Sequence, residues 1–418
     1  DPVLGVLVSE TDPNGFTTEW GHDGFAQLEW EKRSDGSQTT IAQTREKVDG
    51  VWRIKERTTT TGGGDDETIA DSLGRTVRTY THGPQPEVNA ARIMQIVEYD
   101  RLNGALAKRS VPAAEGTPEN ALKFDVYAYD ALAREVKHTT PWNAEFTTAY
   151  NGALIDVTDP SGKQTITQMD AASRPATITD AEKGVTKYSY APFDALYTVT
   201  DPGGAVTKWT RDAFGRTRQL DDPDRGTTTF VNSGFGDQLS STDALGRVVT
   251  WTPDKLGRPS TRTDKLGAQV STTTWTWDTA ANGIGRLHHL TSADAVKTYG
   301  YTKRGQTETL MLSVAGESFA ARMEYDNVGR PDVLHYPQPL GELPFGVKYD
   351  YDAHGFRISV RDAATSDAYW QLTEVDETGR YKREDFGNGV STVRGYDNAK
   401  NALKSITTTK GASTIQQL

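Results

Sequence analysis

The sequence contains no cysteine. That excludes disulfide staples, thiolate metal sites and a cysteine nucleophile. It has no long apolar run either: nothing approaches the roughly 18 consecutive apolar residues of a membrane-spanning helix. Apolar content is low throughout, with 35 % hydrophobic residues in 418 and a mean hydropathy of -0.63. A chain this long is expected to bury large cores, so the shortage points to thin layers with much surface. Positive charge is in deficit, 46 Lys and Arg against 57 Asp and Glu, for a net charge of -11. Such a chain is a poor ligand for nucleic-acid phosphates. The opening Asp-Pro-Val-Leu-Gly-Val-Leu-Val has no basic leader and reads as the interior of something longer.

What is present argues against disorder. Nine Trp and seventeen Tyr are too many for a chain that never packs. The sequence also repeats. Asp159, Asp180, Asp201, Asp222, Asp243 and Asp264 are evenly spaced, with a 21-residue period. Thr precedes five of the six, and a glycine follows each within three or four positions. Six positions after each Asp comes a β-branched residue, and eight after, the middle four repeats place Tyr188, Trp209, Phe230 and Trp251. A second turn, Asp170-Ala-Ala-Ser-Arg174, Asp212-Ala-Phe-Gly-Arg216 and Asp254-Lys-Leu-Gly-Arg258, recurs at every second unit. The same Asp-x-x-Gly-Arg form stands at Asp71, Asp243, Asp326 and Asp376, with Ala in the Gly place after Asp130.

One unit is simple to derive. Asp caps its own turn through its side chain, Pro fixes the first φ, and Gly supplies a positive φ. The following segment alternates and is rich in Thr, Val and aromatics, the composition of a strand. Each 21-residue unit is therefore a hairpin, and stacked hairpins make one long antiparallel sheet with ladders of Thr and of aromatics. Neither face is strongly apolar, which suits a sheet wetted on both sides or facing a cavity. Helix signals are few, the best being Glu87 to Tyr99 and Gly116 to Leu122. A β-propeller is the alternative architecture, since two such units would fit one four-stranded blade of roughly 40–45 residues.

These residues resemble the RHS/YD-repeat family. Its Tyr-Asp step stands at Tyr99, Tyr129, Tyr325, Tyr349, Tyr351 and Tyr396, and Tyr325-Asp-Asn-Val-Gly-Arg330 is a full match. Thr158-Asp-Pro-Ser-Gly162 and Thr200-Asp-Pro-Gly-Gly204 match the second half of the motif. The resemblance implies an all-β fold: a continuous spiralling antiparallel sheet of hairpins that forms part or all of a hollow shell. It implies a shell that encloses a toxin or effector cargo until delivery, secreted or held at the cell surface. The partners implied are that cargo and the rest of a longer RHS or toxin-complex chain. Many bacterial members cleave themselves at an Asp-Pro-x-Gly motif. Here Asp12, Asp159 and Asp201 carry that string inside ordinary repeat turns, and the protease role is not carried onto them.

Other chemistry has simpler explanations. The acidic residues invite a two-carboxylate glycosidase, but the repeat requires Asp for its turns, and Asp65-Asp66 and Asp221-Asp222 fall in a Gly-rich loop and a turn. Only His288 and His289 are adjacent among seven histidines. Strand alternation would point them to opposite faces, a poor metal pair. Thr61-Gly-Gly-Gly64 lacks the Lys of a phosphate loop and reads as a flexible tip. A 21-residue period does not fit calcium-binding nonapeptides. The aromatic columns are read as sheet stabilisation. The expectation is thus a non-catalytic protein with no catalytic, metal or cofactor residues, one repeat region over 1–418. Its most regular part is 155–275, with irregular repeats and insertions over 1–154 and 276–418. The alternative function is an extracellular adhesion or carbohydrate-binding surface, favoured if the aromatics point outward.

Overall fold

The computed structural model describes residues 1, 3–84, 92–338, 345–397 and 402–418. In them 37 strands join a single sheet. Every pairing is antiparallel, and nearly all run between neighbours in sequence, from Ser9–Thr11 beside Thr17–His22 to Ala402–Lys410 beside Ser413–Gln417. The first and last strands each have one partner, so the sheet does not close on itself. The expected architecture is present: an open hairpin meander rather than a ring of separate propeller blades.

The 21-residue unit is two strands. Val185–Tyr190, Val206–Arg211, Gly226–Asn232 and Val248–Pro253 are the strands that bear the aromatic columns, with one strand of five or six residues between each pair. A bulge interrupts the register where each aromatic-bearing strand reaches the next turn. Thr210 pairs with Gln219 but Arg211 pairs with Thr217, leaving Arg218 as the extra residue. The same shift occurs at Tyr99, Tyr129, Tyr190, Tyr325, Tyr351 and Tyr396. Bulges bend a strand and increase its twist. Bulges at most hairpins of this one rim make the strip curl.

The curl completes a turn. Asn14 and Ile284 exchange two hydrogen bonds, of 3.2 and 2.9 Å. Arg304 pairs with Asp35 and donates to Ser37 Oγ at 3.4 Å. Arg330 donates to the Gly62 carbonyl at 2.7 Å. The sequence separations, 270, 269 and 268, are nearly equal. Hairpin turns alternate between the two rims of the strip. Those at 14, 35 and 62 lie on one rim, and those at 284, 304 and 328–330 on the other. The fold is therefore a spiral with a pitch of about one strip width, its coils meeting rim to rim along a seam.

The core is small, as the composition requires. Among the described residues the buried apolar side chains are Ile69, Met94, Ile96, Leu122, Val333, Val347 and Leu372, and Met94, Ile96 and Leu122 form one cluster beside Tyr80, Ala113 and Phe124. The accessible surface is 25324 Å². A compact protein of 45.8 kDa would expose about 16,000 Å².

Several expectations change. Ile93–Tyr99 is a strand, because its β-branched pattern pairs with Thr76–Thr81; residues 87–91 lie outside the described residues. Gly116 to Leu122 holds only the short 3-10 turn Glu119–Ala121. Asp264 caps no turn. It lies inside the strand Pro259–Leu266, whose hairpin is displaced to Gly267-Ala268. The aromatic columns do not form one ladder. Tyr188 faces Val199, which faces Thr207 and not Trp209, so each aromatic is offset from the next along the strand. His288 and His289 do not diverge. His288 is the extra residue of a bulge, and the two rings lie 3.7 Å apart.

Small-angle X-ray scattering tests the thin curled strip. A compact domain of this length has a radius of gyration of about 22 Å. The expected value is clearly larger, with a pair-distance curve skewed to long distances. A value at the compact figure, with a filled profile, would contradict the fold.

Candidate functional site

The repeated chemistry belongs to the Asp-x-x-Gly-Arg turns. In Asp212 to Arg216 the Asp212 N–H donates to the Arg216 carbonyl at 2.9 Å and Gly215 N–H to the Asp212 carbonyl at 3.0 Å. Gly215 sits at φ 79°. This is a three-residue hairpin loop, a type I turn followed by a left-handed residue. Asp212 Oδ1 accepts from the N–H groups of Phe214 and Arg216 at 2.9 and 3.0 Å, and Oδ2 accepts from Arg216 Nε at 2.7 Å. One carboxylate thus ties the loop and orients the arginine. Asp71, Asp130, Asp170, Asp254, Asp326 and Asp376 repeat the arrangement.

The oriented arginine reaches the next turn on the same rim. Arg75 lies 4.4 Å from the ring of Tyr99, Arg174 4.3 Å from Tyr190, Arg330 4.5 Å from Tyr351, and Arg380 4.2 Å from Tyr396. Each tyrosine hydroxyl donates to the carbonyl of the residue after that arginine: Thr76, Pro175, Pro331 and Tyr381, at 2.9, 2.8, 2.8 and 2.7 Å. The Tyr-Asp step and the Gly-Arg step are therefore two halves of one clasp. Where Tyr is absent, another donor does the same work. Trp277 Nε1 donates to Pro259 O at 2.8 Å, and Asn232 Nδ2 to Thr217 O at 3.0 Å.

The electrostatics follow. The Asp170 carboxyl is held below its ordinary value by the Arg174 guanidinium and by the N–H groups of Arg174 and Ala172. At Asp326 partial burial pushes upward, but the Arg330 and Val328 N–H groups and the Arg330 side chain outweigh it, and the net shift is again downward.

The buried carboxylates are also engaged. Glu67 meets Lys55 at 3.1 Å and Arg92 at 3.0 Å. Glu384 accepts from Trp370 Nε1 at 2.9 Å and pairs with Arg394. Asp65 and Asp66 begin a strand, Asp65–Ala70, rather than a loop, and Asp221 accepts from Thr227 and Gln219 at 2.8 Å each. Tyr188, Trp209, Phe230 and Trp251 are all half-buried.

Sequence reasoning missed the seam. Gly62 to Gly64 is not a free tip: a Cβ at Gly62 would lie 2.6 Å from Val328, and one at Gly64 would lie 3.4 Å from His354. His82 and His354 stack with ring centroids 3.9 Å apart. No local signal announces that Arg330 meets Gly62; only the recurrence of the bulge foretells it.

Ala133 and Ser173 occupy the glycine place at φ 60° and 61°. Ala133→Gly should raise the urea unfolding free energy by about 0.5–1 kcal/mol, since a side chain strains the left-handed region. Tyr325→Phe, which loses the bond to Thr307 O, should lower it by about 1 kcal/mol. The depressed carboxyls stabilise the fold above their unfolded value near 3.9. That stability is lost as pH falls through the lower folded values, because the unfolded chain takes up protons first. The urea midpoint should hold from pH 7 to about pH 5 and fall steeply below about pH 4; a midpoint equal at pH 7 and pH 3 would contradict the carboxylate clasps.

Residues 233–269 match the family described as RHS Repeat. No curated protein matches the sequence at a significant level. The crystal structure of TcdB2-TccC3 superposes with a TM-score of 0.76 at 14 % identity, over 99 % of this chain and 27 % of that one. The Photorhabdus luminescens Tc holotoxin pore carrying a TccC3 mutation superposes at 0.71 and 15 % identity, over 92 % of this chain and 22 % of that one. This chain spans about a quarter of the length of those it resembles. Residues 233–269 thus carry a match to the RHS repeat, and nearly all of the chain shares the fold of those structures.

Proposed function

We propose that this chain is a structural, non-enzymatic wall segment of a hollow shell that encloses a toxin or effector cargo until delivery, outside the cell that makes it or at its surface. The observation that carries this reading is the thin one-layer sheet, curled through a full turn with its rims in contact. Such a wall surrounds space instead of filling it. The likeness in fold to TcdB2-TccC3 supports the same reading. No helix among the described residues is long and apolar enough to cross a membrane.

The rim supports a longer wall. In the second coil, the third residue of a rim turn docks on the first coil, as Val328 does on Gly62. The equivalent residues on the same rim of the first coil are uncovered: Leu73, Leu102, Leu132, Phe214, Phe235 and Leu256 are 74–100 % exposed. Apolar tips in register, at the position used for coil docking, fit the opposite rim of a further coil. The partner is then more of the same strip, and the cargo lies within it.

Enclosure is tested by extending the chain beyond Leu418 with an unstructured, protease-sensitive peptide. The expected result is digestion at least ten times slower than that of the free peptide, with the shell itself intact. Digestion at the free rate would overturn enclosure by this chain.

A further inference from the structure

The two coils of the spiral meet at a set of side chains that the repeat does not require. Asp65 opens the strand that follows the Gly62–Gly64 tip, and His82 directly follows the strand Thr76–Thr81 on the same rim. His354 is the third residue of the Asp352 turn, on the opposite rim of the second coil. His82 and His354 therefore belong to successive coils, brought together only by the curl.

We propose that Asp65, His82 and His354 form a site for a divalent transition ion of the zinc class, and that this ion fastens one coil of the spiral to the next. One ligand atom from each residue, a carboxylate oxygen and a ring nitrogen from each imidazole, lies within 4.8 Å of the others. Two imidazoles and a carboxylate are a donor set suited to zinc, with a fourth, tetrahedral position left for water. Zinc requires ligands at about 2.0–2.2 Å, close to the plane of each imidazole, and the His82 and His354 rings stack 13° from parallel, so binding turns the His354 ring out of the stack and draws the turn at 352–355 onto the first coil.

Three further observations point to this place. The His354 Nδ1 atom is buried with no hydrogen-bond partner among the described residues, a cost that a bound ion would remove. A Cβ at Gly64 would lie 3.6 Å from His82 Nδ1 and 3.4 Å from His354 Cβ, in ordinary contact, so the tip packs directly against both rings. The ligands are also held from behind. Arg57 takes Asp65 Oδ2, leaving Oδ1 on the side of His82, 3.4 Å from its Nδ1. His82 Nδ1 lies 3.0 Å from the Asp65 carbonyl; donating there would fix the tautomer that leaves Nε2 unprotonated. Glu115 is itself paired with Arg92 at 2.7 Å.

The inference rests on the seam and not on what the shell encloses, so it stands or falls separately from the encapsulation reading. The test uses the whole 418-residue chain and zinc chloride alone. Calorimetric titration is run on the wild type, His354→Ala and Asp65→Asn, since the other five histidines offer weaker, unrelated binding. The wild type should bind one more zinc per chain than either variant, at least ten-fold more tightly than the remaining sites. Zinc should also slow hydrogen exchange of the 60–65 tip in the wild type alone. His354 lies in a turn at the rim, and Asp65→Asn keeps the size of the side chain, so one of the two variants serves if the other fails to fold. Equal zinc stoichiometry and affinity in the wild type and a folded variant would overturn the site, as would zinc binding that leaves the tip's exchange unchanged.

Discussion

The structure depends on one clasp: a carboxylate that orients an arginine, an arginine that lies on the next tyrosine, and a tyrosine hydroxyl that returns to the carbonyl beside that arginine. A sheet with so few buried apolar residues has little hydrophobic driving force per strand. Backbone ladders alone leave such a strip free to slip in register. Each clasp spans from one turn to the next on the same rim, fixing spacing and register together. The cation–ring contact and the hydroxyl bond are modest individually, each about 1 kcal/mol. Repeated along the rim, they make neighbouring hairpins interdependent, in the manner of repeat proteins whose stability is a sum of nearest-neighbour terms.

The clasp and the bulge occupy the same residue, and this couples stability to shape. The tyrosine ends its strand where the register shifts, as at Tyr190 and Tyr351. The carbonyl its hydroxyl reaches, that of Pro175 or Pro331, lies in the preceding bulge on the same rim, where Met169 pairs with Pro175 and Tyr325 with Pro331. Without that donor, the bulge would strand a polar group at the rim. So the feature that curls the sheet is stabilised by the residue that names the repeat. Where Tyr is lost, a donor of equivalent reach stands in its place, as Trp277 and Asn232 do, and this explains how the motif varies without breaking the curl.

The period, the turns and the strand composition were all legible in the sequence, because each follows from local backbone chemistry: Asp for the loop, Gly for the positive φ, β-branched residues for the pleat. Asp212 and Gly215 do what their residue types demand. The failures share one cause. Strict alternation placed His288 and His289 on opposite faces and aligned Trp209 with Tyr188, and both inferences ignored bulges and strand offset. Asp264 kept the 21-residue spacing while its hairpin moved further along the chain, a shift that spacing alone does not record. The seam lay beyond any local rule. Gly62 looked like loop flexibility, and its real constraint is the approach of Val328 from the next coil.

The two rims have therefore diverged for a physical reason. One rim carries the clasps, and its loop tips project a third residue outward. The other rim carries the Thr-Asp-Pro turns and, at the seam, glycine tips, though Trp142 and Leu245 also lie on it. Where the coils meet, the projecting residues of one rim seat against small residues of the other: Val328 on Gly62, His354 on Gly64. The separation between knob and recess along the chain is set by one turn of the curl: 270 positions from Asn14 to Ile284, 266 from Gly62 to Val328 and 290 from Gly64 to His354. Curvature set by each hairpin thus fixes which distant residues meet, and the seam can hold specific chemistry only because the repeat beneath it is regular.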